Sequence, residues 1–157
     1  MQPSLIPPPV WALLFAIAMW VLNRRVPLVT LVLVPWHPLG WCVMVLAFVA
    51  PFAAIRQFGH AGTTVNPHQP EAASVLVTGG VYAWTRNPVY LGLATALIGW
   101  AISLGGLSAF VGPLLFVPLI LGVQILPEER ALRARFGREY EDYCARVNRW
   151  LGRRIRS

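Results

Sequence analysis

The sequence predicts an all-α protein: a polytopic membrane helical bundle of about four transmembrane helices, with a cytoplasmic C-terminal amphipathic helix. Three observations carry this prediction. The 157 residues are 57% hydrophobic and only 12% charged, whereas soluble domains run nearer a quarter charged. Mean hydropathy is +0.60. The apolar residues also collect into four runs of near-membrane length, separated by polar or proline-containing segments. The same composition excludes disorder, and the 14 Pro and 13 Gly follow no period, which excludes a collagen-like chain. The length suits a single domain spanning residues 1–157.

The first run is Leu5–Leu22. Pro7, Pro8 and Pro9 open it, and proline is tolerated in the first turn of a helix, so the helix is expected to begin near Pro8. Arg24 and Arg25 follow and can snorkel to the interface. No basic stretch precedes the run and no small-residue cleavage site follows it, so it reads as a retained span rather than a signal peptide. Val26–Trp36 is short and bracketed by Pro27 and Pro35; it reads as an interfacial link or as part of a longer, broken second helix. The second run is Pro38–Ile55, closed by Arg56. A linker, residues 57–87, is the longest polar stretch before the tail, and such a loop in a small membrane protein is usually functional. The third run, Pro88–Leu104, ends at Gly105–Gly106, and the fourth, Ala109–Leu126, is closed by Pro127. Each run has 17 or 18 residues, short of the roughly 20 that span a bilayer unaided, so flanking Trp and Arg must extend their reach. In the tail, residues 127–157, Leu132, Phe136, Tyr140, Tyr143 and Val147 recur at spacings of three and four; this is an amphipathic helix that Gly137 divides.

Net charge is +7, and all 13 basic residues are Arg. Nine of them lie in residues 127–157 beside five of the six acids. With four spans, the linker and tail share one side with Arg56, Arg86 and the tail arginines, while Arg24 and Arg25 lie opposite. The positive-inside rule then predicts an integral, multi-pass protein with its N-terminus, linker and tail in the cytoplasm. The basic charge follows the membrane segments and no groove-reading or stacking motif is present, so membrane lipids are expected as partners rather than nucleic acid.

Several chemistries drop out. There is no P-loop, GxGxxG or HExxH. Asp142 is the sole Asp, which leaves no Ser-His-Asp triad. Cys42 and Cys144 have no metal-site spacing and lie too far apart in kind to pair. His37 falls on the far side from His60 and His68; a two-His site with a carboxylate is the one metal reading left, and no metal is expected.

Two clusters remain. The first is Gly80-Val81-Tyr82-Ala83-Trp84-Thr85-Arg86-Asn87-Pro88-Val89-Tyr90, entering the third run. Asn87 suits an N-cap and Pro88 a first turn. The cluster reads either as an aromatic belt with a topology charge or as a helix N-terminus beside Arg86, made for an anionic group. The second is Gln124 followed by Glu128 and Glu129. Gln124 is one helical turn before Glu128, whereas Glu129 is turned about 100° away. These acids either start the tail helix, where they suit its dipole, or Glu128 holds a cationic ligand with aromatic help.

The strings VTGGVYAWTRNPVYLG and PEERALRARFGREYEDYCARV together closely resemble the isoprenylcysteine carboxyl methyltransferase family, which is related to membrane phospholipid N-methyltransferases. That family carries Arg-His-Pro-x-Tyr after Gly-x-Tyr, then Glu-Glu-x-x-Leu and Phe-Gly-x-x-Tyr. The corresponding residues here are Arg86-Asn87-Pro88-Val89-Tyr90, Glu128-Glu129-Arg130-Ala131-Leu132 and Phe136-Gly137-Arg138-Glu139-Tyr140, in the same order and spacing. The resemblance covers Ala61 to about Trp150.

It implies S-adenosyl-L-methionine as cofactor and methyl transfer to a lipid-like or prenylated small molecule. By the same resemblance Ser74, Val75, Leu76, Val77 and Tyr82 form part of the cofactor cradle, Asn87, Pro88, Val89 and Tyr90 its helix-start portion, and Glu128, with Glu129 beside it, its acidic contact. Gln124 and Arg86 are the substrate-positioning candidates, and no side chain acts covalently. Two departures stand out: Asn87 replaces the family His, and Gln124 replaces an Arg suited to a substrate carboxylate. A non-catalytic protein of the same fold and a nicotinamide-dependent sterol-type reductase on a related bundle are the other readings.

Overall fold

The structure is a computed structural model that describes residues 6–26, 28, 37–61 (backbone alone for 58–61) and 75–153. Among these residues every regular element is helical: α1 Pro8–Arg25, α2 His37–Ala47, α3 Val49–Ala61, α4 Pro88–Leu104, α5 Val111–Ile120, α6 Leu126–Phe136 and α7 Arg138–Arg146. Short 3-10 turns cover Gly80–Ala83 and Leu107–Phe110, and a π-helical turn, Leu121–Ile125, joins α5 to α6. The stretch expected to be an interfacial link, Val26–Trp36, lies mostly outside the described residues, as do Ser74 and His68.

The prolines explain most of the boundaries. α1 starts at Pro8 and α4 at Pro88, where a missing N–H costs nothing because the first turn has no intrahelical acceptor for it. Two helices extend beyond the apolar runs they contain. The second run does not stop at Ile55: helix continues to Ala61, with a one-residue interruption at Phe48, whose N–H bonds Val45 at 3.2 Å. Pro51 sits in the first turn of α3 and cannot donate to Ala47, so the helix restarts there instead of running smoothly through. Nor does Pro127 close the fourth run. It falls in the first turn of α6, and the π-turn just before it lets the helical path continue from Leu107 to Phe136. Arg24 and Arg25, expected beyond the first helix, form its last turn, where cations suit the helix dipole.

The chain divides into two compact units. One comprises the described residues of Ile6–Val49 and Gly92–Leu121. In it Phe15 meets Phe116 edge-to-face with ring centroids 5.5 Å apart. Met19, Ala101, Ala109, Phe116 and Ile120 are fully buried, and Gly112 leaves the space that the Met19 side chain fills. Gly40 and Gly99 let α2 and α4 approach backbone to backbone; a Cβ on Gly99 would lie 2.7 Å from the Gly40 carbonyl oxygen. Asn23 ties off the end of α4, donating to the Leu104 carbonyl at 3.1 Å and accepting from Ser108 Oγ at 3.1 Å.

The other unit holds the described residues of Ala50–Leu91 and Gly122–Ser157. Its core is Tyr140, Tyr143 and Val147, packed against Leu76, Tyr82, Leu132, Phe136 and Cys144. The stripe read from the tail sequence therefore has a partner surface, which the linker supplies through Leu76 and Tyr82. Gly137, at φ 50°, makes the bend between α6 and α7 in a left-handed conformation that other residues rarely adopt.

Two helical runs, His37–Gln57 with 21 residues and Leu107–Phe136 with 30, are long and apolar enough to cross a membrane; Pro88–Leu104 is apolar but shorter. Leu13, Leu14, Ile17, Val45, Leu46, Phe52, Leu114 and Leu115 all point outward and exposed. Apolar surface of that extent suits lipid rather than water, and helices meet the bilayer's demand that backbone groups be satisfied internally.

The Gly40–Gly99 contact yields the first prediction. Gly99→Ala should destabilise the protein by about 1–3 kcal/mol, because the added methyl meets the backbone of Gly40 and Met44 as well as the Met44 side chain. Gly122→Ala, with nothing within 4 Å of the added carbon, should leave stability unchanged. Thermal unfolding of the two variants in detergent compares them directly.

Candidate active site

The second unit brings three parts of the chain together: the turn leading into α4, the first turn of α6, and the segment from α7 to Arg153. Glu129 joins them. It is buried, and two guanidiniums converge on it. Arg86 Nη1 lies 3.0 Å from Oε1, and Arg149 binds both oxygens, Nε to Oε1 at 2.8 Å and Nη2 to Oε2 at 2.9 Å. A buried carboxylate is tolerated only with such pairing, and the bidentate Arg adds geometric definition. Arg86 Nη1 also donates to Cys144 Sγ at 2.8 Å and reaches the Tyr140 hydroxyl at 3.5 Å.

Backbone pairing holds the same parts in register. The Arg86 N–H donates to the Asn148 carbonyl at 3.2 Å and the Gly152 N–H to the Trp84 carbonyl at 2.9 Å. The Arg149 carbonyl accepts from Thr85 Oγ1 at 3.3 Å and from Asn87 Nδ2 at 3.1 Å. Gly152, at φ 97°, lets the loop turn back so that Val147 and Arg153 form an antiparallel bridge. Tyr143 donates to the Tyr82 carbonyl at 2.7 Å. Burial raises the pKa of both the Tyr143 and Tyr82 hydroxyls, so both stay neutral.

Glu128 is placed differently. It is half-buried and accepts a hydrogen bond from the Tyr90 hydroxyl. Tyr82 is also within its electrostatic reach. Among the described residues no cation pairs with it, while its neighbour Glu129 has two. Gln124 is fully buried on the π-turn. Such a turn carries residue i+5 rather than i+4 over residue i. Gln124 is accordingly buried together with Glu129 rather than sharing its face with Glu128.

Of the other residues singled out from sequence, Ser74 lies outside the described residues, Val75 is exposed, and Leu76 packs on the tyrosine cluster beside half-buried Val77. Pro88 and Tyr90 are buried and Val89 is half-buried. Asn87 is buried as expected at the start of α4, yet its side chain faces the C-terminal loop. Arg86, expected beside the substrate, has Nη1 engaged by Glu129, Cys144 and Tyr140, and its Nε is buried without a hydrogen-bond partner. The residues missed from sequence are Thr85, Cys144, Asn148 and Arg149. A signal for Arg149 did exist, since a Glu buried at 129 must find cations, but nine tail arginines offered too many candidates.

The apolar, membrane-length helices mark a membrane-type protein, and comparison with known proteins gives its family. Residues 35–139 match the family described as phospholipid methyltransferase, and the chain belongs to this family. A relative from Haemophilus influenzae, described only as an uncharacterized protein, is 40% identical over 63 residues, covering 40% of this chain and all of that relative. Protein-S-isoprenylcysteine O-methyltransferase of Tribolium castaneum is 33% identical over 69% of this chain and 39% of the relative. The enzyme of the same name from Saccharomyces cerevisiae is 31% identical over 69% of this chain and 46% of the relative. The chain thus matches less than half the length of these two named relatives. No solved structure matches.

The ion-pair geometry separates the two acids. Glu129→Ala leaves Arg86 charged and buried, and should cost about 3–5 kcal/mol of stability. Glu128→Ala removes a group with one hydrogen bond, and its cost should be about 1 kcal/mol. Thermal unfolding in detergent, with proteolysis of the α7–Arg153 segment as a local readout, distinguishes them; equal losses would contradict the assignment.

Proposed function

We propose that this protein is an integral membrane methyltransferase that uses S-adenosyl-L-methionine and acts on a lipid-like or small hydrophobic acceptor. The observation that carries the reading is Glu128: a half-buried carboxylate with no cationic partner among the described residues, bonded by Tyr90 and near Tyr82. Burial pushes the pKa of the Glu128 carboxyl up to about 7, and a positively charged ligand beside it and the two tyrosines would favour its ionised form. S-Adenosylmethionine fits that donor set, since it carries a sulfonium and an ammonium, and it would supply an electrophilic methyl group. Family membership and the methyltransferase names of the relatives support the same reading.

The chain's own residues would then divide the work. Glu128, Tyr90 and Tyr82 would bind the cation, with Leu76, Val77, Pro88 and Val89 as apolar surround and Ser74 and Val75 at the edge of the cradle. The Glu129–Arg86–Arg149 cluster and Asn87 would position them by holding the α4 start, the α6 start and the C-terminal loop in one geometry. Excluding water and fixing orientation is what methyl transfer needs from a protein, with no covalent intermediate. Topologically, we place four spans in the membrane with the N-terminus, linker and tail in the cytoplasm, supported by the arginine distribution. A lipid acceptor would arrive laterally near the α5–α6 junction, where the buried Gln124 is uncharged and its family counterpart is an Arg. That favours a neutral or cationic acceptor over a carboxylate.

Calorimetric titration of detergent-purified protein with S-adenosylmethionine tests the reading. Micromolar binding is expected, weakened about tenfold or more in Glu128→Gln, which removes a charge-assisted contact. No binding by folded wild type would reject the function, and unchanged affinity in the variant would reject the site. Acceptor class is read separately. Wild type should transfer methyl poorly to a prenylcysteine analogue, and Gln124→Arg should improve that transfer, because a guanidinium matches a carboxylate bidentately.

A further inference from the structure

A second feature of the same unit lies outside the proposed methyl-transfer residues. Thr78, Ala83, Tyr143, Arg146, Val147 and Arg153 line a cleft of about 410 Å³. Its two guanidiniums are held by backbone carbonyls: Arg146 Nε donates to Asp142 at 3.2 Å and Arg153 Nε to Ala83 at 3.3 Å. Both side chains are exposed, and among the described residues neither forms an ion pair, in contrast to Arg86, Arg133 and Arg149. Anchoring through Nε leaves the terminal nitrogens of each fork as donors, the arrangement in which guanidinium recognises phosphate oxygens. Thr78 adds a hydroxyl to the wall, while Tyr143, whose hydroxyl is engaged with Tyr82, offers its ring. Two cations with no acid paired to them among the described residues suit an oxyanion.

The surroundings indicate where that oxyanion comes from. Trp84 is 58% exposed and Leu151 65%. Arg153 stacks over the Trp84 ring at 5.2 Å. Exposed Trp and Leu beside arginine are the composition of a membrane–water interface, where the apolar groups enter the acyl boundary and the cations meet headgroups. We propose that the Arg146–Arg153 cleft binds the phosphodiester of an anionic phospholipid, docking the C-terminal loop on the membrane surface. This binding does not depend on whether the protein transfers methyl groups.

The test uses the full chain in neutral detergent. Short-chain phosphatidylglycerol, short-chain phosphatidylcholine and inorganic phosphate are titrated calorimetrically into wild type, into Arg146→Gln/Arg153→Gln and into Arg146→Lys/Arg153→Lys. Phosphatidylglycerol should bind more tightly than phosphatidylcholine, losing about fivefold in affinity for each guanidinium neutralised, with the lysine variant retaining most of the preference. Arg146→Gln alone, whose side chain bonds only its own helix, should show the single fivefold step even where the double variant unfolds. Equal affinity for the two lipids would overturn the proposal, as would indifference to the glutamine changes. Inorganic phosphate binding as tightly as the lipid would mark a free-anion site instead. Loss of S-adenosylmethionine affinity in the glutamine variants, with lipid binding intact, would reassign the cleft to the cofactor's carboxylate.

Discussion

A carboxylate that is removed from water must be neutralised, and in this protein that requirement falls on Glu129. Its partners come from two places remote in sequence, Arg86 before α4 and Arg149 in the C-terminal loop. Bringing both to one carboxylate draws the linker, the α6 start and the tail into a single arrangement. Several backbone and side-chain contacts accompany that convergence. Arg149 delivers its carbonyl to Thr85 and Asn87, and the Arg86 N–H finds Asn148. The tyrosine cluster touches the ion pairs through Tyr140, whose hydroxyl lies 3.5 Å from Arg86 Nη1.

Adjacent acids consequently have different work. Glu129 is fully paired and structural in its contacts. Glu128, one residue earlier, has a single hydrogen bond from Tyr90 and no cation among the described residues. Glu129 fixes the helix start through two guanidiniums, while Glu128 is held by the Tyr90 hydroxyl. The π-turn at Leu121–Ile125 contributes by shifting the helix face just before the pair, which turns Gln124 and Glu129 inward together.

Asn87 shows how a departure from a family pattern can be absorbed. The site resembles one in which His occupies this position; here the side chain is short and donates to the Arg149 carbonyl. Asn makes that contact without a titratable ring. The link between the α4 start and the C-terminal loop is therefore independent of protonation at this residue.

Much of this was legible in the sequence. Local chemistry determined the helix starts at Pro8 and Pro88, because a first turn needs no donor from proline. It also determined the bend at Gly137, and the tail stripe of Tyr140, Tyr143 and Val147, because periodicity is a property of a single element. Paired motifs in register pointed to Arg86–Tyr90 and Glu128–Glu129 as one site. Only tertiary structure decided what those residues do to one another. Proline at 127 reads locally as a stop, yet the preceding π-turn carries the helix onward. Two adjacent glutamates are indistinguishable by composition, and it is the arrival of Arg86 and Arg149 that separates them. Sequence carries the period of each helix but not which distant cation meets which acid, since that is set by how segments 20 or more residues apart close on one another.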